Sequence, residues 1–258
     1  MAEWTPAPTT GQVDHFDVER LQRLWSRLHQ GDAEPWSDEP AVQHAWVHFH
    51  NGEFQRAAEA GLAIGDAGMN VANKATCIYA NYLEPREQNR QDLLLEAAAR
   101  AESLQRRHPD NTGGWYWQAY ALGRYSQGIS VAKALTQGLG VRVRTALEAT
   151  IAREPQHADA HLALAAFHAE VIDKVGSMVG RMTYGANKAT GLALYQQAMA
   201  LNPDAIVTLT EFANGLLMLE GPDALPEANR LLDRAASIEP LDAMERLYVA
   251  SARVALEG

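Results

Sequence analysis

Four amphipathic segments of this sequence end in the same way, with a proline that stops a helix. The prolines are Pro109, Pro155, Pro203 and Pro240, which stand 46, 48 and 37 residues apart, and each is followed by a new segment with apolar residues at helical spacing. Proline has no backbone N–H and its ring clashes with the preceding turn, so a helix ends before it. A helix end that recurs along a chain indicates stacked helical units with a continuous core.

The rest of the sequence is also typical of helices. Alanine is frequent, runs of β-branched residues are rare, and turn signals between alternating segments are missing. The segment Asp17–Gln30 carries apolar residues at spacings of three and four, which predicts a first helix. Residues 1–16 contain Pro6 and Pro8 and show no period. We therefore expect a flexible N-terminal tail at 1–16, followed by a single helical repeat domain at 17–258.

Residues at fixed offsets before the prolines point to a known kind of repeat. The residues five, eight and twelve places before each proline are, in chain order, Leu104, Ala101 and Ala97; Thr150, Leu147 and Val143; Ala198, Tyr195 and Gly191; and Ala235, Leu232 and Ala228. The pattern resembles the tetratricopeptide repeat (TPR), a helix–turn–helix unit of about 34 residues in which these places are small, bulky and small. The last set matches at all three places, and Trp115 stands six residues after Pro109, where the family carries a Trp-like residue. An earlier unit without its proline is visible at 46–64, so the resemblance covers roughly residues 41–258.

The resemblance implies an all-α fold, a TPR-like α-solenoid of about five helical hairpins with capping helices. Two hairpins are lengthened, because the first two intervals between prolines exceed the usual repeat length of about 34 residues. These lengthened units resemble the regulator-of-microtubule-dynamics-like branch of the family, which includes bacterial chains. We expect a long helix from Asp159 to about Arg181, a turn at 184–187 and a closing helix at 244–257.

In TPR proteins the first helices of the units line a concave groove that holds a peptide or a partner helix. The resemblance places nine residues of this chain in that groove, namely Asn73, Thr76, Tyr116, Tyr120, Arg124, Leu162, Glu170, Thr210 and Asn214. Asn, Tyr and Thr side chains can hydrogen-bond a peptide backbone, and Arg124 can hold a carboxylate with two parallel bonds. The resemblance thus implies a non-enzymatic scaffold for a protein or peptide partner. The alternative is that these side chains are solvated or make intramolecular contacts.

Two other functions stay open. The first is a carrier that holds an apolar small molecule or lipid between the lengthened helices of residues 112–203. There, polar residues such as Glu170 and Lys174 either surround a pocket or form a packing network. The second is an enzyme, but the sequence has no Gly-x-Ser-x-Gly elbow, no dinucleotide-binding glycine pattern and no kinase signature. We therefore predict no catalytic residues and no cofactor.

Histidine and cysteine are the remaining residues that suggest chemistry. His44 and His48 are four residues apart on a predicted helix, a spacing that can chelate a metal, and His161 and His168 share a helix face. Neither set has the His-Glu-x-x-His order, so we predict that these imidazoles pack within the fold and that no metal site exists. Cys77, the only cysteine, lies in an apolar helical segment, which predicts a buried structural thiol.

Charge and hydropathy exclude two classes of partner. The net charge of −10, from 22 Lys and Arg against 32 Asp and Glu, disfavours binding to a nucleic acid backbone. The longest apolar stretch, Leu162–Phe167, is far shorter than the ~20 residues that a membrane-spanning helix needs. The first twenty residues have no apolar run, so we expect no signal peptide and a location in the cytoplasm. Apolar solenoid ends make self-association a further expectation.

Overall fold

The computed structural model describes residues 3–8 and 15–257, and the regular structure in that part of the chain is entirely helical. The α-helices are α1 (Val18–Leu28), α2 (Pro40–His50), α3 (Phe54–Ile64), α4 (Met69–Tyr82), α5 (Glu87–Arg107), α6 (Thr112–Gln127), α7 (Val131–Thr136), α8 (Leu139–Arg153), α9 (Ala158–Val175), α10 (Ser177–Tyr184), α11 (Lys188–Leu201), α12 (Ile206–Glu220), α13 (Leu225–Ser237) and α14 (Ala243–Glu257). Short 3-10 helices at Asp66–Gly68 and Gly221–Ala224 precede α4 and α13. The all-α prediction is therefore confirmed.

The helices follow one another as pairs, as the repeat pattern predicts. In chain order the packed pairs are α2 and α3, α4 and α5, α9 and α11, and α12 and α13, while α6 packs against α5 and α8 packs against α9. Helix α1 precedes the first pair, and α14 follows the last pair as the predicted closing helix. The short helix α7 lies between α6 and α8 in the sequence, and the short helix α10 lies between the two members of the pair α9 and α11.

The offset positions before the four prolines are the best test of the repeat register. All twelve residues at these positions are buried. The residues five places before each proline, Leu104, Thr150, Ala198 and Ala235, are completely inaccessible to solvent. The small side chains of Ala198 and Ala235 let neighbouring helices approach closely, so the repeat pattern in the sequence corresponds to helix contacts in the fold.

The additional length of the two lengthened repeats lies in separate short helices, α7 and α10. The prediction of one helix from Asp159 to about Arg181 is wrong in its last turns, because α9 ends at Val175 and α10 starts at Ser177. Gly176 lies between them with a φ of +80° and a ψ of 157°. Residues other than glycine rarely adopt this backbone conformation. The turn predicted at 184–187 is present, and the side chain of Asn187 caps α11 by accepting a bond of 3.0 Å from the N–H of Thr190.

The helices are grouped into two compact units. The first contains the described residues up to His29, residues 34–134 and residues 242–244; the second contains residues 30–33, 135–241 and 245–257. Helix α7 lies where the chain passes from the first unit to the second. The prediction of a single domain over 17–258 stays a prediction.

Aromatic side chains dominate the interior of the first unit. Trp25 of α1 lies edge-on to Trp46 of α2, with ring centroids 5.5 Å apart, and to Trp36, at 4.9 Å. His50, also on α2, is 1% exposed and donates from Nδ1 to the buried carboxylate of Asp242, at 2.7 Å. Asp242 comes from a part of the chain 192 residues away, so this bond ties a late segment into the first unit.

Two apolar clusters of described residues pack helices of the second unit together. The first packs α12, α13 and α14 together through Leu209, Leu231 and Ala252, among others. The second packs α9, α11 and α12 around Tyr195 and Ala198. No α-helix within residues 3–8 and 15–257 combines the length and apolarity that a bilayer crossing requires.

Part of the predicted N-terminal tail lies against the first unit. The ring of Trp4 stacks on Tyr79 of α4, with centroids 4.1 Å apart, and the N–H of Thr5 donates to the Tyr79 hydroxyl at 3.2 Å. That hydroxyl in turn donates to Glu84 at 3.0 Å. Residues 1–2 and 9–14 lie outside the described residues, and the flexibility of the tail stays a prediction.

The first prediction concerns the break between α9 and α10. Gly176→Ala should lower the free energy of unfolding by about 1–3 kcal/mol, because alanine is strained at this φ although its Cβ would meet no atom within 4 Å. The matched control is Gly123→Ala within α6, where the Cβ also meets open space but the backbone is helical. That change should stabilise by about 0.5–1 kcal/mol. Urea unfolding measures both, and equal effects of the two changes would contradict the argument.

The second prediction concerns pH. The Arg86 side chain donates to Glu84 and, with smaller help from the Arg86 backbone N–H and Tyr79, lowers the pKa of this carboxyl from 4.5 to about 2. The ionised form therefore stabilises the fold above pH 4.5, and this contribution is lost as the pH falls through about 2. Glu84→Gln should be less stable than the wild type above pH 4.5, and the difference should shrink towards pH 2. Urea unfolding over this pH range checks it, with exposed Glu59→Gln as control; a difference independent of pH would refute it.

Candidate functional site

The predicted groove residues lie on α4, α6, α9 and α12, which the resemblance takes as the first helices of their repeats. They are distributed over both units: Asn73 and Thr76 on α4 and Tyr116, Tyr120 and Arg124 on α6 belong to the first, and Leu162 and Glu170 on α9 and Thr210 and Asn214 on α12 belong to the second. Their exposure differs strongly, and exposure decides which of them can meet a partner.

Asn73 and Thr76 are interior residues of the first unit. Their exposed fractions are 0% and 1%, and both side chains bind the guanidinium of Arg100 from α5. The Nε of Arg100 donates to Asn73 Oδ1 at 3.1 Å and Nη2 donates to Thr76 Oγ1 at 2.8 Å. These contacts are intramolecular, which is the alternative that the sequence left open for them. Arg100 was not singled out in the sequence, where it stands as one cation in an alanine-rich helix.

Tyr116, Tyr120 and Arg124 come together along one side of α6. Tyr116 is buried, and its ring lies 6.2 Å from that of Tyr120, measured between centroids. The Arg124 guanidinium lies over the Tyr120 ring, 5.4 Å from its centroid, and Nη1 donates to Gln127 at 3.3 Å. Tyr120 and Arg124 are both half-buried. The ring and the local bond hold the cation in place on the surface.

The sequence around this cation contains no acidic residue. No Asp or Glu occurs between Asp110 and Glu148, whereas Arg124, Lys133 and two later arginines do. Lys133 lies over the ring of Tyr125, with Nζ 5.8 Å from the centroid. In a chain with a net charge of −10, the segment that contains α6 and α7 is therefore locally basic and aromatic.

The four predicted groove residues of the second unit have different environments. Leu162 is 5% exposed and packs in the core cluster with Tyr195 and Ala198, so it is a packing residue. Glu170 is half-buried and lies 3.8 Å from the Nζ of Lys174, one helical turn along α9.

The remaining two polar residues lie on α12. The Thr210 hydroxyl donates to the backbone carbonyl of Ile206 at 2.9 Å. Thr210 and Asn214 are both half-buried, four residues apart, so each keeps some surface that a partner can reach. Partner binding by any of the nine residues stays a prediction.

The histidines make local structural contacts. His44 Nδ1 lies 2.7 Å from the Pro40 carbonyl, and His48 Nδ1 bonds to Glu53. His161 Nε2 lies 3.0 Å from the Pro155 carbonyl, and His168 accepts the N–H of Asn187 at 3.2 Å. Burial is the largest cause of the lowered pKa of His168. Within the described part of the chain, no three His, Cys, Asp or Glu side chains are grouped as a metal ion would need.

Cys77 is buried, as the sequence predicts. The pKa of its thiol is raised to about 12, because burial disfavours the thiolate and the nearby Arg100 offsets only part of this effect. A thiol with this pKa is almost entirely protonated at neutral pH, so it is a poor nucleophile and a poor metal ligand.

Two buried polar groups of the first unit were not anticipated. Lys74 is 3% exposed, and its Nζ lies 5.6 Å, 5.2 Å and 5.9 Å from the ring centroids of Trp46, Phe49 and Trp117. The other is the pair of His50 and His29, whose Nε2 atoms are 3.2 Å apart. The sequence has no signal for either group, because each depends on side chains that are distant along the chain.

Comparison with known proteins identifies the fold. No model of a known family matches the sequence, and no curated protein matches it. Among solved structures, the chain is similar to the crystal structure of a thermophilic TPR protein from Thermus thermophilus, with a TM-score of 0.58 and 18% sequence identity. The match covers 84% of this chain and 100% of the other. The chain therefore has a TPR-like helical-repeat fold, as predicted.

The third prediction concerns the Arg100 contacts. Arg100→Met should lower the free energy of unfolding by about 1–3 kcal/mol, because Asn73 and Thr76 each lose a hydrogen-bond donor in the interior. The matched control is Arg106→Met on the same helix, whose side chain is 66% exposed and lies 3.5 Å from Glu102. That change should cost no more than about 0.5 kcal/mol. Urea unfolding of both variants measures the difference, and an Arg100→Met variant as stable as the control would refute the structural role.

Proposed function

We propose that this protein is a non-enzymatic TPR-like scaffold that binds a partner protein or peptide in the concave groove of its first helices. Repeat folds of this type present extended surfaces made by successive helical repeats, which supports a binding role. The observation that carries the proposal is the Arg124 guanidinium held over the Tyr120 ring on α6. A location in the cytoplasm and the likeness to the regulator-of-microtubule-dynamics-like branch are part of the same proposal.

Arg124 is suited to bind a carboxylate. A guanidinium donates two parallel N–H bonds to a carboxylate, and contact with an aromatic face restricts its motion before a ligand arrives. Less side-chain entropy is then lost on binding, so more of the interaction energy contributes to affinity. No acidic residue stands between Asp110 and Glu148 in the sequence. The expected ligand is therefore an acidic side chain or a C-terminal carboxylate.

Other groups in the predicted groove have supporting roles. Four of them are half-buried, so part of each side chain is accessible to a peptide: Tyr120, Glu170, Thr210 and Asn214. Asn73, Thr76, Tyr116 and Leu162 are buried, so they support the shape of their helices and do not touch the partner directly. The proposal thus rests on fewer groove residues than the resemblance implies.

The fourth prediction tests this assignment. Affinity-tagged protein is purified gently from its source cells, and native mass spectrometry reports the bound partner. Arg124→Glu with Tyr120→Ala should reduce the recovered complex about tenfold or more, since a charge-assisted bond is lost and a like charge is introduced. Arg124→Lys, which keeps the charge without the planar fork, should give an intermediate loss.

Arg106→Glu, an exposed charge reversal in the same unit, is the control and should leave the complex unchanged. Unfolding midpoints verify that the variants are folded. If the double variant retains the partner at the wild-type level, the Arg124 site is wrong. If the spectrum instead shows an adduct of a few hundred daltons that is lost on denaturation, the carrier hypothesis for residues 112–203 replaces the scaffold.

A further inference from the structure

Helix α10 has an apolar face directed to solvent. Met178, Val179 and Met182 have exposed fractions of 77%, 51% and 83%, and their spacing places Met178 and Met182 one turn apart on this helix of eight residues. Isolated exposed apolar residues are common on proteins, but three on two turns are a concentration. Exposure of these apolar side chains to water is unfavourable in free energy, and contact with a partner would bury them.

The helix is fixed to the second unit by its other side. Gly180 is buried against Val171 of α9, where an added Cβ would lie 3.1 Å from the valine side chain. The Tyr184 ring lies so close to Gly140 of α8 that a Cβ there would be 2.6 Å from it. Arg144 of α8 donates to the Tyr184 carbonyl at 2.9 Å. The apolar face is therefore presented on an anchored helix.

The start of α8, which the Tyr184 ring contacts, carries a further exposed apolar residue. Val141 is 58% exposed and directly follows Gly140, the residue that the Tyr184 ring covers. We call Val141, Met178, Val179, Met182 and the neighbouring Arg181 the α10 surface.

The sequence around α10 is locally basic. No Asp or Glu occurs between Asp173 and Asp204, whereas Lys174, Arg181 and Lys188 do. Lys174 lies 3.8 Å from Glu170, and Lys188 lies 2.6 Å from Glu220. Arg181 is exposed and forms no ion pair with any described residue. The α10 surface thus presents a cation beside methionines.

We propose that the α10 surface docks an acidic amphipathic helix of a partner protein. The apolar face of such a helix would cover Met178, Val179, Met182 and Val141, and its carboxylates would lie near Arg181. Methionine suits this role because its flexible, polarisable side chain adapts to the partner. The charge complementarity selects an acidic partner over a basic one.

A lipid bilayer fits the same observations less well. Helix α10 has eight residues and a length of about 12 Å, and it carries one basic residue and no Trp, Phe or Leu. Interfacial helices that bind membranes present more of these residues.

This docking surface goes beyond the groove that we propose for α6. It lies in the second unit and uses none of the nine predicted groove residues. Loss of binding at Arg124 would leave the α10 surface intact, and loss of binding at the α10 surface would leave Arg124 intact. The two proposals therefore fail separately.

The fifth prediction is tested by methyl NMR of the whole chain labelled at its seven methionines. The probe is a helical peptide of about 18 residues with leucine on one face and glutamate on the other. The signals of Met178 and Met182, assigned by single Met→Leu replacements, should shift on titration, whereas that of Met218 on α12 should not. Added salt should weaken the binding.

Variants and a second peptide make the test specific. Met178→Ser with Met182→Ser should weaken the peptide affinity about tenfold, and Arg181→Glu about fivefold. Val254→Ser on α14, which is 69% exposed, should leave the affinity unchanged. A peptide with lysine in place of glutamate should bind at least about tenfold more weakly than the acidic one.

Four results would overturn the proposal. The first is the absence of any shift of Met178 and Met182 with the acidic peptide. The second is equal binding of the lysine peptide. The third is a shift caused by phosphatidylserine vesicles but not by the peptide, which would assign the surface to a membrane. The fourth is a shift that depends on protein concentration alone, which would assign it to a second copy of the chain.

Discussion

Close approach of helices at small side chains is the constraint on which this fold depends. Ala198 and Ala235 stand five places before their prolines and are completely buried. Gly215 shows how little room there is, because a Cβ at this position would lie 2.3 Å from the Tyr195 hydroxyl. The Tyr195 ring is stacked on Phe212, 5.0 Å between centroids, so it has little freedom to move away. A larger residue at such a contact would force the two helices apart, and in a repeat fold that displacement passes to the next helix. The alanine-rich composition therefore reflects packing as much as helix propensity.

The sequence predicts the features that depend on local chemistry. Prolines and small residues at fixed offsets act within one or two turns, so the helix ends, the order of the pairs and the buried positions could be inferred from them. The division of the long units could not be inferred in the same way. Gly176 in a helical pattern is compatible with a continuous helix, and only its positive φ shows that α9 stops there. An excess of residues in a repeat indicates an insertion, but it does not distinguish longer helices from additional ones. Here the insertions are α7 and α10.

The candidate site was predicted with less success, for a physical reason. Family offsets assign a residue to a helix and to one side of it, but its exposure depends on what another helix brings to that position. Arg100 of α5 binds Asn73 and Thr76 in the interior of the first unit. No residue near Asn73 and Thr76 in the sequence indicates that contact. Arg124 lies in the last turn of α6 and keeps accessible surface. The bond between His50 and Asp242 is the extreme case, since 192 residues separate its partners. Long-range contacts of this kind decide whether a polar residue serves the fold or is left for a ligand.

The uneven distribution of charge links the inserted helices to recognition. All 32 acidic residues lie outside the two segments from Asn111 to Leu147 and from Lys174 to Pro203, which contain α6, α7, α10 and α11. At physiological salt, charges are screened over roughly 8 Å, so a partner in contact responds to local charge more than to the net charge of −10. An acidic partner would be repelled over most of the chain and attracted only where acidic residues are missing. In the binding modes that we propose, the repulsion elsewhere would suppress unspecific contacts, while Arg124 and Arg181 would each accept a carboxylate. Because exposed charges contribute little affinity on their own, the ring of Tyr120 and the methionines of α10 have to supply most of it.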